Sequence, residues 1–196
     1  MSAKNTLVAA VAALAEEYRS GGDRAELITG LLALAKTDDA EALVAAAEPY
    51  KEVPEIAGPL YERVVELQPE NARALVSLAS AYWLTGRGPE VVGEIAERAI
   101  AADPTNRGAW HMWALTESDQ RERTIRWRQV SQRFPEDDLA RANVADNAAS
   151  LASAEHDKEA LALAIAEYET LLSRATDLRQ REALEQALMT LRGWNW

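Results

Sequence analysis

The sequence predicts an all-α fold, a solenoid of antiparallel helix pairs stacked in series. Three observations carry this. Ala supplies 39 of the 196 residues, against 9 Gly and 7 Pro, and Ala, Leu, Glu and Arg are the residues that lose least on entering a helix. Apolar residues recur every three or four positions, with no sustained alternation of the kind that makes a strand. Short breaks rich in Pro, Gly and Asp punctuate the chain. Three of them, at Pro69, Pro104 and Pro135, lie 35 and 31 residues apart, the spacing of a helix-pair repeat.

In chain order, Leu7, Val11, Leu14 and Tyr18 share one face of a first amphipathic helix. The same stretch has a second reading. Lys4 precedes an apolar run from Leu7 that ends in Ala13-Leu14-Ala15, the outline of a signal peptide. Ser20-Gly21-Gly22-Asp23 stops the first helix and caps a second, and Thr37-Asp38-Asp39 opens a third. Pro54 stands at the first-turn position of a fourth. Pro59, inside that helix, removes one hydrogen bond and is expected to bend it. Further breaks fall at Gln68 to Asn71, Gly86 to Pro89, Ala102 to Asn106 and Arg133 to Asp137. Two long Ala-rich helices follow, then a final helix from about Leu178 to Arg192. No stretch approaches the ~20 apolar residues that span a bilayer.

Composition excludes several functions. A formal charge of −11 repels nucleic acid and anionic membrane surfaces, so neither is an expected partner. Without cysteine there is no disulfide framework, thiolate zinc site or Cys nucleophile. Two histidines cannot build a His-based metal centre unaided, so no metal and no cofactor are expected. Gly-rich phosphate loops, GxSxG and HExxH are all missing. His156-Asp157 is read as a turn and helix cap. No residue is assigned a catalytic role, and the chain is not expected to be an enzyme.

Within this pattern, Asn71 to Asn106 resembles a tetratricopeptide repeat (TPR). Leu75 stands at its large first position, Leu78-Ala79 at its Leu-Gly pair and Tyr82 at its tyrosine; Gly86 marks the turn, Ala99 the late small position and Pro104 the terminal proline. Three neighbours are degenerate versions. Arg107 to Asp137 keeps Trp110, Trp113-Ala114, Trp127 and Pro135, but Arg123 replaces a small residue. Asp38 to Glu70 matches in its second helix, through Ala57, Tyr61 and Pro69. Asp138 to Asp177 keeps Val144-Ala145, Ala164, Tyr168 and Leu171. The tryptophans of the 107–137 segment also resemble the related half-a-TPR pattern, with the same architecture. The resemblance implies a right-handed superhelical solenoid forming one domain, residues 1–196: an N-terminal helix pair (1–37), repeats over 38–70, 71–106, 107–137 and 138–177, and a capping helix with a Trp tail (178–196).

It also implies a concave groove that binds a protein or peptide. Carried over by position, the groove residues are Arg73, Val76, Ser80, Trp83 and Leu84, then Gly108, His111, Leu115, Ser118 and Asp119. The Lys/Asn pattern that grips a C-terminal carboxylate is missing, and Trp83 with Leu84 would make an apolar wall. The alternative for Trp83 is internal packing, and for His111 a structural or exposed role.

Two further features suggest an interface. Arg121, Arg123, Arg126, Arg128 and Arg133 crowd around Trp127, a composition enriched in binding hot spots; the alternative is a solvated helix paired with the chain's own acids. Beyond Gly193, Trp194 and Trp196 either pack back on the last helices or insert into another molecule. The expected function is a non-catalytic, cytoplasmic adaptor binding a peptide or protein segment. The alternatives are a self-assembling subunit, a homo-oligomer joined through the Arg/Trp region and tail, and an acidic inhibitor of a basic partner.

Overall fold

The computed structural model describes residues 3–195. Eleven α-helices and no strand occur among them: α1 (Ala3–Arg19), α2 (Arg24–Leu34), α3 (Ala40–Ala47), α4 (Pro54–Leu67), α5 (Ala72–Leu84), α6 (Pro89–Ala102), α7 (Arg107–Leu115), α8 (Gln120–Arg133), α9 (Asp138–Glu155), α10 (Lys158–Arg174) and α11 (Leu178–Arg192). A single 3-10 turn, Glu48–Tyr50, extends α3.

The helices start where capping chemistry places them. Asp23, Asp39, Asn71, Asp119, Asp137, Asp157 and Asp177 each accept hydrogen bonds from backbone N–H groups of the first turn that follows. Those donors have no partner inside the helix, so each cap is worth about 1 kcal/mol. Pro54 and Pro89 open α4 and α6, where a missing N–H costs nothing. Gly86 ends α5 with φ +74°, a conformation open to glycine without strain. α4 continues through Pro59 to Leu67, although the ring leaves the Glu55 carbonyl without its usual donor.

The chain forms two compact units, one up to Trp113 and one from Ala114 onward. In the first, α1 packs on α2 and α3, α4 on both α2 and α3, and α5 on α4 and α6. Helices α1 to α5 thus each meet their own partner and a helix of an adjacent pair. Val11, Leu31, Leu43, Ile56, Leu60, Val64, Leu75 and Val92 are its largest fully buried side chains. In the second unit α9 packs on α8 and α10, and α10 on α11. Small side chains recur in its core beside Trp127, Val144 and Leu151: Ala140, Ala145, Ala148, Ala152 and Ala164 are all sealed from solvent. Small residues let the helix axes approach closely, so the Ala-rich composition serves packing as well as helix propensity.

Three tyrosines stitch helices together through carboxylates. Tyr61 donates to Glu48 Oε2 at 3.3 Å, Tyr82 to Glu62 Oε1 at 2.7 Å and Tyr168 to Asp146 Oδ1 at 2.5 Å. Burial, reinforced by the adjacent carboxylate, raises all three phenols above their ordinary pKa, Tyr82 to about 12. A group whose folded pKa is raised contributes stability that is complete below its unfolded value near 10. That contribution is lost as pH climbs through the folded value. Urea midpoints should therefore fall between about pH 10 and pH 12, and Tyr82→Phe should flatten the slope. An unchanged slope in the variant would mean that Tyr82 ionises as freely folded as unfolded.

Candidate functional site

In the first unit a cleft of about 670 Å³ opens between α3 and α5. Its walls follow from helix register. Counting from the caps Asp39 and Asn71, Glu41 of α3 is equivalent to Arg73 of α5, Val44 to Val76 and Glu48 to Ser80. These positions recur on one helix face. Glu41 and Val44 of α3 and Glu48 of the 3-10 turn after it line the cleft, with Ala40 and Ala45; opposite them stand Arg73, Ala74 and Ser77 of α5, with Gln68 and Asn71 at the turn before it. Lys4 of α1 closes the edge, and Tyr61, only 3% exposed, forms the floor.

Apolar walls and a charged rim give the cleft its character. Val44, Ala45 and Ala74 supply hydrocarbon, whereas Lys4, Glu41 and Arg73 are exposed and make no ion pair among the described residues. Arg73 acts only at longer range, as a minor influence that helps hold the Asp103 carboxyl below its usual range; the Thr105 hydrogen bonds are the main cause. Glu48 is held loosely, by Tyr61 at 3.3 Å and by Lys51 at 3.8 Å. The Tyr61 phenol is raised chiefly by burial, with Ser77 hydrogen bonding in the opposite direction.

Of the groove positions expected from sequence, only Arg73 lines this cleft. Val76 instead faces Gly108, where a Cβ would meet it at 3.1 Å. Ser80 donates to the Met112 sulfur at 3.8 Å. Both are turned toward α7. Trp83 and Leu84 are 38% and 59% exposed at the end of α5, outside the cleft lining. His111 and Leu115 are half-buried on α7, Gly108 is half-buried beside Val76, and Ser118 and Asp119 are exposed in the turn after α7, Asp119 capping α8. Sequence reasoning missed Glu41, Val44, Glu48, Tyr61 and Ser77. The signal was available, since aligning Asp39 with Asn71 transfers the register directly. It was obscured because α3 has only eight residues and Pro49 turns the chain after it.

The second unit carries its own cleft, about 560 Å³, between α9 and α11. Ala149, Ser150, Ser153 and Ala154 face Ala187, Thr190 and Leu191 across it, with Tyr168 and Trp194 in its lining. Trp194 is half-buried against the clusters of Leu151, Ala152, Ala160 and Leu191, so its side chain packs on α9, α10 and α11. Trp196 lies outside the described residues.

The arginine region is largely engaged within its own unit. Arg121 pairs with Glu155 at 2.5 Å and Asp157 at 2.9 Å. Arg123, standing where the repeat expects a small residue, donates to Asn147 Oδ1, the Glu117 carbonyl and Gln120 Oε1. It thereby ties the turn before α8 to α9. Arg126 pairs with Glu117 at 2.7 Å, and Arg133 lies 5.9 Å over the Phe134 ring. Arg128 is exposed. Trp127 is 3% exposed, and a side chain so covered offers a partner no surface. His156 ends α9 in the left-handed region, and Asp157 caps α10.

No family profile matches the chain, and no curated protein matches it either. Solved structures do. TTC0263, described as a thermophilic TPR protein of Thermus thermophilus, superposes with a TM-score of 0.61 at 18% identity, over 95% of this chain and 100% of its own. The MamA protein gives 0.60 at 15% identity, over 89% of this chain and 98% of its own. YrrB, described as a TPR protein with an unusual peptide-binding site, gives 0.57 at 16% identity over 88% of each chain. The fold is TPR-like. Among the described residues no helix is long and apolar enough to cross a membrane.

Proposed function

We propose that this TPR-like chain is a non-catalytic protein-interaction module whose α3–α5 cleft holds a peptide segment. The observation that carries the proposal is the cleft itself: it is open, apolar on its walls and rimmed by charges that the fold leaves uncommitted. Extended segments bind such grooves through apolar contact and directional polar groups. YrrB, of the same fold, is by description a TPR protein with an unusual peptide-binding site. Self-assembly through Trp127 and the arginines has less support, because Trp127 is covered and Arg121, Arg123 and Arg126 hold partners in their own unit. Surface acidity alone favours the inhibitor reading, and no patch singles out a basic partner.

The test is selection from a displayed library of random dodecapeptides on the full chain, with counter-screening on Val44→Arg and Trp83→Ala. Val44 is half-buried at the cleft wall, so an arginine there fills the groove while its stem still packs. Recovered peptides should lose at least about tenfold in affinity on Val44→Arg, a loss of about 1.4 kcal/mol, and bind Trp83→Ala normally. The opposite pattern would move the site to the exposed end of α5.

A further inference from the structure

The geometry points to a cleft that reads charge order: we propose that it selects an extended segment with an acidic and a basic side chain about three residues apart. This rests on the peptide-binding reading above. The two ends of the cleft differ in sign. At one end Lys4 and Arg73 flank Glu41, leaving a net positive charge, and the first turns of α3 and α5 point the positive ends of their peptide dipoles the same way. At the other end Glu48 is the charge in the lining, oriented by the Tyr61 hydroxyl beneath it and paired only loosely, at 3.8 Å, with exposed Lys51, which lies outside the lining.

The distance between the ends sets the spacing. Glu41, level with Arg73, and Glu48 are seven residues apart on one helical stretch, roughly 10 Å at 1.5 Å per residue. An extended chain covers roughly 10 Å in about three residues. A ligand lying in the cleft strips water from both ends, so a like charge at either end is disfavoured, and the pattern acts as a filter. Elsewhere in the molecule several arginines are matched inside the chain, Arg63 by Asp38 and Glu66, Arg141 by Glu167, Arg174 by Asp138 and Arg192 by Glu169. Arg73 has no such match among the described residues.

The same random dodecapeptide library tests it, with the wild-type chain, Glu48→Lys and Arg73→Glu as separate baits. Both residues are exposed, and far-UV circular dichroism checks that the variants stay helical. Acid–base pairs two to four residues apart should be enriched among wild-type binders. Glu48→Lys should shift the enrichment to acid–acid pairs, and Arg73→Glu to base–base pairs. A peptide recovered on the wild type should bind Glu48→Lys about fivefold more weakly, the size of one exposed charge pair. Peptides that depend on Val44 but carry no charge pairs, or that ignore both charge swaps, overturn the filter and leave the peptide site standing. Recovery of no Val44-dependent peptide overturns both.

Discussion

Replacing Trp127 by Ala lowers the unfolding free energy of the second unit by about 3–5 kcal/mol. α8 is the most polar helix of the chain, with Arg121, Arg123, Arg126, Arg128 and Arg133 among its fourteen residues. Its buried face is Thr124, Trp127, Val130 and Ser131. Trp127 therefore supplies most of the apolar area that docks the helix, and a large-to-small change loses that transfer energy and opens a cavity as well. Urea denaturation followed by far-UV circular dichroism measures the loss. A variant with an unchanged midpoint but altered solution mass would return Trp127 to the surface and revive the self-association reading. Light scattering after size exclusion decides that point on the same samples.

The second large effect is expected at Arg141. Its guanidinium pairs with Glu167, joining α9 to α10, and the two side chains are only 15% and 16% exposed. Water is therefore a poor substitute partner for either charge. Arg141→Ala leaves the Glu167 carboxylate uncompensated and should cost about 3 kcal/mol, the lower end for breaking a buried pair because a sixth of each side chain is still wet. Arg141→Met combined with Glu167→Met should recover most of that loss, since an apolar pair of similar volume carries no desolvation penalty. Comparing the two in urea separates the value of the pair from the cost of orphaning one partner. A single variant as stable as the wild type would show that Glu167 finds solvent.

Much of the fold was legible in the chain because helix boundaries are local events. An Asp or Asn followed by an apolar period specifies a cap within four residues, and the Asp and Asn caps from Asp23 to Asp177 obey that rule. The repeat was legible through its resemblance to a known family: Leu75, Leu78, Ala79 and Ala99, placed by that resemblance, are all buried. Trp127 held a position of the repeat, yet the surrounding arginines suggested an interface. The distant partners of Arg121 and Arg123 lie 24 to 36 residues away, at Asn147, Glu155 and Asp157. No periodicity reports a contact at that distance.

The candidate site divides along the same line. Sequence by itself determined the helices, their caps, their order and the face that each turns inward, because all of these depend on neighbours within one or two turns. Through the resemblance to the repeat it also assigned Arg73 to a groove position of α5. Only the tertiary structure decided which faces meet across open space. α5 turns Val76 and Ser80 against α7, while its Arg73, Ala74 and Ser77 share a cleft with Glu41, Val44 and Glu48 of a helix more than twenty residues earlier. That choice follows from how closely the helices pack, with Gly108 leaving room for Val76 where a Cβ would come within 3.1 Å of it. Packing of that kind is a property of three helices at once, and no single stretch of sequence encodes it.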